Sequence, residues 1–243
     1  MAEPAVLLSE QDGILELTFN RPDKYNAINL EMADALAQAA FDLRERDDLR
    51  LLLIKAKGRY FSAGSDITDI SMPDPKGSSS RARTWYRVAH QGPCLGGGLE
   101  LSLSCDFRLA AASASYRMNE IDIGVIPGSG GTSRLTRLVG AHWARWFVMA
   151  GEQVSAARAL AIGLVHDVYP DETFDQQVRA FCEKLAKRPP ETIAIAKLTI
   201  ELSEDLDRQQ ARNAERLGNS ILFLGDEHRN LIAAMRARLT KSK

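Results

Sequence analysis

Cysteine is scarce in this chain: Cys94, Cys105 and Cys182 are the only three in 243 residues, with no CxxC spacing and no even number to close into a full disulfide set. That excludes a disulfide-built scaffold and suits a reducing compartment. The four histidines, His90, His142, His166 and His228, stand far apart and form no HExxH pattern, so no metal is expected. An excess of either charge is missing too. With 31 basic against 32 acidic residues the formal net charge is -1, and the basic residues are scattered, which gives no ground for a nucleic-acid partner. No apolar run has the length of a membrane span. The start of the chain places Glu3 and Glu10 around a short apolar stretch and lacks the basic lead and long apolar core of a secretion or transit signal. A cytoplasmic protein, away from membranes, is the expectation.

What is present suits a globular protein. Hydrophobic residues make up 45% and charged residues 26%, enough for one sizeable core or a core with a helical appendage. Ala5 to Ser9 and Ile14 to Phe19 read as strands of a hairpin turning at Gln11-Asp12-Gly13. Asn29 caps a helix over Leu30 to Arg46, and Leu51 to Ala56 follows as an apolar strand. Phe107 to Ala111 and Leu164 to Tyr169 are further strands, and such strand-helix-strand units suit a buried, parallel sheet. Met72 to Ser80, rich in proline, glycine and serine, reads as a surface loop, and Arg81 to His90 as a helix. Helices are expected over Leu99 to Cys105, Gly131 to Val139 and His142 to Ala150, with a short one capped by Ser155. From Asp171 strand signals stop, and helices follow over Asp171 to Lys187, Glu191 to Leu202, Leu206 to Leu224 and Asp226 to Leu239.

The chemistry concentrates between Gln91 and Gly131. Gly96, Gly97 and Gly98 open a helical run, and a helix start beside residues without side chains offers unpaired amide protons to a negative charge. Glu100, three residues after Gly97, falls on the same helix face. Glu120 follows twenty positions later in the polar step RMNE, ahead of the apolar turn IDIGVIPG. Carboxyls in apolar surroundings hold protons more tightly, which suits groups that exchange them near neutral pH. PGSGG is neither a nucleophile elbow, because Pro127 stands where GxSxG needs glycine, nor a P-loop, because no GK[ST] follows. Ser129 is therefore a poor nucleophile.

These residues resemble the enoyl-CoA hydratase/isomerase, or crotonase, family. The matching words are FNRPDKYNAI (19–28), FSAGSDI (61–67), GPCLGGGLELSLSCDFRLA (92–110) and MNEIDIGVIPGSGGTSRLTRLVG (118–140), with a weaker block over Met149 to Pro170. The resemblance implies an α/β, crotonase-like spiral of repeated ββα units over residues 1–188, and a C-terminal helical trimerisation region over 189–243. It implies that the amides of Ala63 and Gly97 are the oxyanion donors, and that Glu100 and Glu120 are the catalytic acids of a hydratase adding water to a trans-2-enoyl-CoA. Lys24 and Ala27 are carried to the coenzyme A pocket, Lys24 as a phosphate contact, while Gly64, Ser65 and Asp66 line the thioester and adenine region. Coenzyme A is part of the substrate, so no separate cofactor is expected. A homotrimer or a hexamer of two trimers is the implied assembly. An isomerase, a dehydratase, another acyl-CoA lyase or a non-catalytic acyl-CoA-binding scaffold are the alternatives on the same frame. In one place the chain departs from the pattern. A helical turn, a Lys-Pro pair and an apolar strand are expected before GPCLGGG, yet His90 runs straight into Gln91-Gly92. The expectation is a segment missing at that junction, and one core strand with it.

Overall fold

The computed structural model describes residues 3–66, 68 and 86–241. The chain divides into two compact units, Met1–Ala186 and Lys187–Lys243.

The first unit is built on a six-stranded sheet. Strand β1 (Val6–Gln11) pairs antiparallel with β2 (Ile14–Phe19), Val6 opposite Phe19 and Gln11 opposite Ile14. Asp12 and Gly13 turn the chain with φ of 54° and 75°, the double left-handed geometry that Asp-Gly adopts at little cost. Helix α1 (Leu30–Glu45) starts where the Asn29 side chain accepts from the Met32 N–H at 3.1 Å. It leads into β3 (Leu51–Ala56), which lies parallel to β2.

Strands β2 and β3 are buried along most of their length because both faces of the sheet are covered. Leu52 and Ile54 belong to the core that holds Met32, Ala39 and Leu43 of α1. Leu51 and Leu53 point the other way, into a second cluster with Phe174, Val178 and Cys182 of a helix near the end of this unit. This is why β3 reads as an apolar run rather than as alternating residues.

The sheet continues through β4 (Tyr86–His90), β6 (Phe107–Ala111) and β9 (Asp167–Tyr169) in the order β1-β2-β3-β4-β6-β9, parallel from β2 onward. Between them run β5 (Pro93–Leu95), α2 (Gly97–Leu103) and β7 (Ser115–Arg117); β5, β7 and β8 (Val154–Ser155) form a separate three-stranded sheet that no apolar run announced. Two expectations fail at β4. Residues 86–90 are a strand and not the end of a helix, while residues 81–85 of that span and the loop over Met72 to Ser80 lie outside the described residues. No core strand is missing at His90–Gln91 either. β4 itself fills the place between β3 and β6, pairing Leu52 with Tyr86 and His90 with Ala110, and the chain there has no cis peptide bond.

His90 hid the strand. It is fully buried in β4, its Nδ1 lies 3.0 Å from the Tyr116 hydroxyl, and its ring meets Phe61 edge-on. Nε2 has no hydrogen-bond partner among the described residues. Burial, with the nearby Arg108 charge, pushes the imidazole down from 6.5 to about 3. The unfolded chain takes up a proton below 6.5 that the folded site refuses, so the wild type loses stability as pH falls from there toward about 3. His90→Phe should therefore gain on the wild type by about 1.4 kcal/mol per pH unit across that window in urea unfolding. A difference that does not change with pH would contradict this.

Helix α3 (Gly131–Val148) joins the two helices expected there, and Gly140, at φ 80° and ψ 160°, marks the break between them. Ser155 caps α4 (Ala156–Ala161) through Arg158 N–H, and α5 (Phe174–Ala186) closes the unit.

The second unit is helical: α6 (Pro190–Ser203), α7 (Arg208–Leu224) and α8 (Asp226–Lys241). Asp207 opens α7 with a capping box, accepting from the Gln209 and Gln210 N–H groups. Gly218 lets α7 approach α6, since a Cβ there would sit 2.8 Å from Ile195 Cγ2. Glu227, at the start of α8, accepts from the Glu191 and Thr192 N–H groups of α6. No helix among the described residues is long and apolar enough to cross a membrane.

Candidate active site

Glu100 projects from α2 and is only 7% exposed. Its Oε1 accepts two backbone N–H groups, from Ser129 at 2.7 Å and Gly131 at 3.0 Å. The PGSGG turn and the first residue of α3 thus anchor one oxygen of the carboxylate and fix the side chain. Gly131 has to be glycine for this packing. A Cβ there would lie 2.7 Å from Glu100 Cγ and 2.8 Å from its Oε1.

Glu120 begins a 3-10 turn, Glu120–Ile123, that Gly124 closes in the left-handed region at φ 76°. Its Oε2 is buried and has no hydrogen-bond partner among the described residues. Burial pushes the carboxyl above its ordinary value, the charge of neighbouring Glu100 adds to the rise, and the residue's own backbone N–H offsets part of it. Each acid lies against a glycine, Glu100 against Gly131 and Glu120 against Gly96. Glu120 Oε1 lies 3.1 Å from where a Gly96 Cβ would be, and the Asn119 side-chain oxygen crowds the same point. Asn119 was not singled out by sequence reasoning; its place next to Glu120 in RMNE was the available signal.

The oxyanion pair needs a correction. The Ala63 N–H donates to the Tyr25 carbonyl at 3.0 Å, so it is spent within the protein. Two residues on, the chain direction reverses the outcome. Ser65 sits in a parallel bridge with Ile28, in which Ile28 N–H donates to Gly64 O at 2.8 Å and Asp66 N–H to Ile28 O at 2.9 Å. That pairing turns the Ser65 N–H away from Ile28 and leaves it without a partner among the described residues. It faces Gly97: a Cβ on Gly97 would be 3.2 Å from Ser65 N. Gly97, the first residue of α2, has its own N–H outside the helix ladder. Among the described residues the amides of Ser65 and Gly97 are thus both left free, next to each other.

Gly64, at φ 106°, lies with its Cα against the Gly97 backbone, a Cβ there being 3.4 Å from Gly97 N. Asp66 is occupied. It bonds Thr68 Oγ1 at 2.6 Å and Arg21 Nη1 at 2.9 Å, and these partners hold its carboxyl at about 2. Arg21 also donates to Ala27 O at 2.6 Å, which ties the NRPDKYNA loop to the FSAGSD segment. Ala27 is thus part of that tie, and Lys24, at the end of a 3-10 turn, is exposed. The structure brings Glu100, Glu120, Ser65, Gly64 and Gly97 into one place, with Lys24 and Ala27 on the adjoining loop.

Comparison with known proteins bears on the family and the fold. Residues 9–222 match the family model described as enoyl-CoA hydratase/isomerase. The chain is 30% identical to 2,3-dehydroadipyl-CoA hydratase of Escherichia coli over 249 residues, covering 96% of each chain. It is 28% identical to crotonyl-CoA hydratase of Syntrophomonas wolfei, covering 90% of each. Among solved structures, an enoyl-CoA hydratase from Thermoplasma volcanium superposes with a TM-score of 0.85 at 31% identity, covering 96% of this chain and 97% of that one. One from Bacillus anthracis reaches 0.89 at 25% identity, covering 96% of each. The fold is therefore crotonase-like. With the model match spanning nearly all of the first unit, and the glycines and both acids inside it, this chain belongs to the enoyl-CoA hydratase/isomerase family.

Proposed function

We propose that the protein is an enoyl-CoA hydratase, adding water across a trans-2-enoyl-CoA to give the 3-hydroxyacyl-CoA. The observation that carries this is the pairing of unlike acids: Glu120 has a buried oxygen with no partner among the described residues, while Glu100 is clamped by two N–H groups. Environments that treat two carboxyls differently suit a reaction that needs a proton acceptor and a proton donor at once.

In this reading the thioester oxygen accepts from the Ser65 and Gly97 N–H groups. Water attacks C3 as Glu100 takes its proton, the C2=C3 electron pair moves toward C1, and the negative charge that gathers on the thioester oxygen is held by the two amides. Glu120, which burial inclines to keep a proton, then delivers one to C2. The pair shares one water, so the proton affinities measured in solution belong to both groups together. Lys24 is assigned to a phosphate of coenzyme A, and the reaction needs no further cofactor. Exposed Ile200, Leu217, Ile221 and Leu224 of α6 and α7 support self-association as a trimer or hexamer.

A panel of enoyl-CoA thioesters of increasing chain length, followed by loss of the conjugated ultraviolet absorbance, tests the assignment. Turnover of at least one member is expected. Binding without turnover across the panel would favour a scaffold, and double-bond migration without water uptake an isomerase.

A further inference from the structure

Of the polar side chains between Ser62 and Asp66, Ser65 is left over. The Ser62 hydroxyl is buried and accepts from Gly64 N–H at 3.1 Å, and Asp66 is engaged by Thr68 and Arg21. Ser65 is exposed, and its hydroxyl has no hydrogen-bond partner among the described residues. It is also placed beside the amide pair. A Cβ on Gly97 would lie 2.8 Å from Ser65 Oγ and 3.2 Å from Ser65 N, so hydroxyl and amide of one residue flank the same edge of Gly97.

From this geometry we infer that Ser65 supplies two donors to the thioester oxygen, its N–H and its O–H, so that with Gly97 the oxygen meets three. The inference rests on the hydratase reading of this site. A hydroxyl rotates freely about Cβ–Oγ and can turn its proton toward an oxygen that gains charge. Its contribution is therefore largest when the oxygen is most negative: after water has bonded to C3 and the π electrons have moved onto the thioester oxygen, before C2 takes its proton. An interaction stronger at that point than in the bound ground state appears in kcat and not in KM. Exposure to water tempers it, so the effect is smaller than the 10²-fold or more typical of a buried donor.

Ser65→Ala isolates the hydroxyl, because the backbone N–H stays in place and an exposed position tolerates the change. It should lower kcat for enoyl-CoA hydration about tenfold with KM within about twofold, and Ser65→Thr, which keeps a hydroxyl, should recover most of the loss. The second readout is the enolisation of a bound 3-ketoacyl-CoA, followed by its ultraviolet enolate band against pH. Ser65→Ala should move that titration up by about one pH unit, the equivalent of a tenfold loss. Wild-type kcat in the alanine variant, a loss confined to KM, or no recovery in the threonine variant would overturn the inference. Should the wild type hydrate no enoyl-CoA, the hydratase reading fails, and the enolate titration alone decides the hydroxyl: an unmoved titration overturns its role, and an upward shift supports it.

Discussion

Glu120→Gln should lower kcat for hydration by about 10²-fold or more, the usual scale for a proton-transferring side chain, while raising Tm at pH 7. The activity loss follows because glutamine has no proton to give to C2. Its shape is almost that of glutamate, so substrate binding should change little. The gain in Tm follows from the raised carboxyl. The folded protein holds the Glu120 proton more tightly than the unfolded chain does, so this group favours folding most below its unfolded value, and that contribution is lost as pH rises through the folded value. At pH 7 the unfolded wild type is ionised, so folding must either take up a proton or place a charge in a partly buried position beside Glu100, and glutamine does neither. A rise of about 1–3 °C is expected on the usual scale for a chain of this size. Assays across substrate concentrations and a thermal melt at pH 7 and pH 4 check both parts. Unchanged turnover would remove Glu120 from the mechanism, and a lower Tm at pH 7 would show that burial is not what raises its proton affinity.

Gly131→Ala tests the other acid without touching it. The added Cβ would fall 2.7 Å from Glu100 Cγ, 2.8 Å from its Oε1 and 2.8 Å from Pro127 Cβ, so the carboxylate or the turn has to move. Displacing a reacting group by about 1 Å costs on the order of 10²-fold in rate, and that is the expected loss in kcat. The fold should survive. Gly131 does not occupy the left-handed region, and alanine suits a helix better than glycine. Wild-type kcat with an unchanged melt would show that Glu100 does not need its anchor on the Ser129 and Gly131 amides.

The parts of the fold with strong local signals were legible in the sequence, and each failure has a local cause. Asp12-Gly13, Asn29 and Ser155 each bring their own geometry, and the hairpin, α1 and α4 start or turn where they should. β4 was missed because Tyr-Arg-Val-Ala-His carries three titratable residues in a short strand, and only the tertiary pairing of His90 with Tyr116 makes the last of them tolerable there. β5 and β7 are three-residue strands, too short for any period to show. In the site, Glu100, Glu120 and Gly97 could be picked out because side-chain type and glycine spacing carry the information. The choice between Ala63 and Ser65 could not be read in the same way. It depends on which N–H the Tyr25 carbonyl and the Ile28 bridge consume, a property of backbone direction that neither residue's identity reveals.

The central claim is that one thioester oxygen is held by the amides of Ser65 and Gly97 while Glu100 and Glu120 work on the adjoining carbons. Mass analysis of the product formed from a short trans-2-enoyl-CoA in heavy-oxygen, deuterated water tests it most directly. The account predicts one heavy oxygen at C3 and one deuterium at C2 from the wild type, and neither at a comparable rate from Glu120→Gln. Deuterium gained at C2 or C4 with no heavy oxygen at C3 would contradict it.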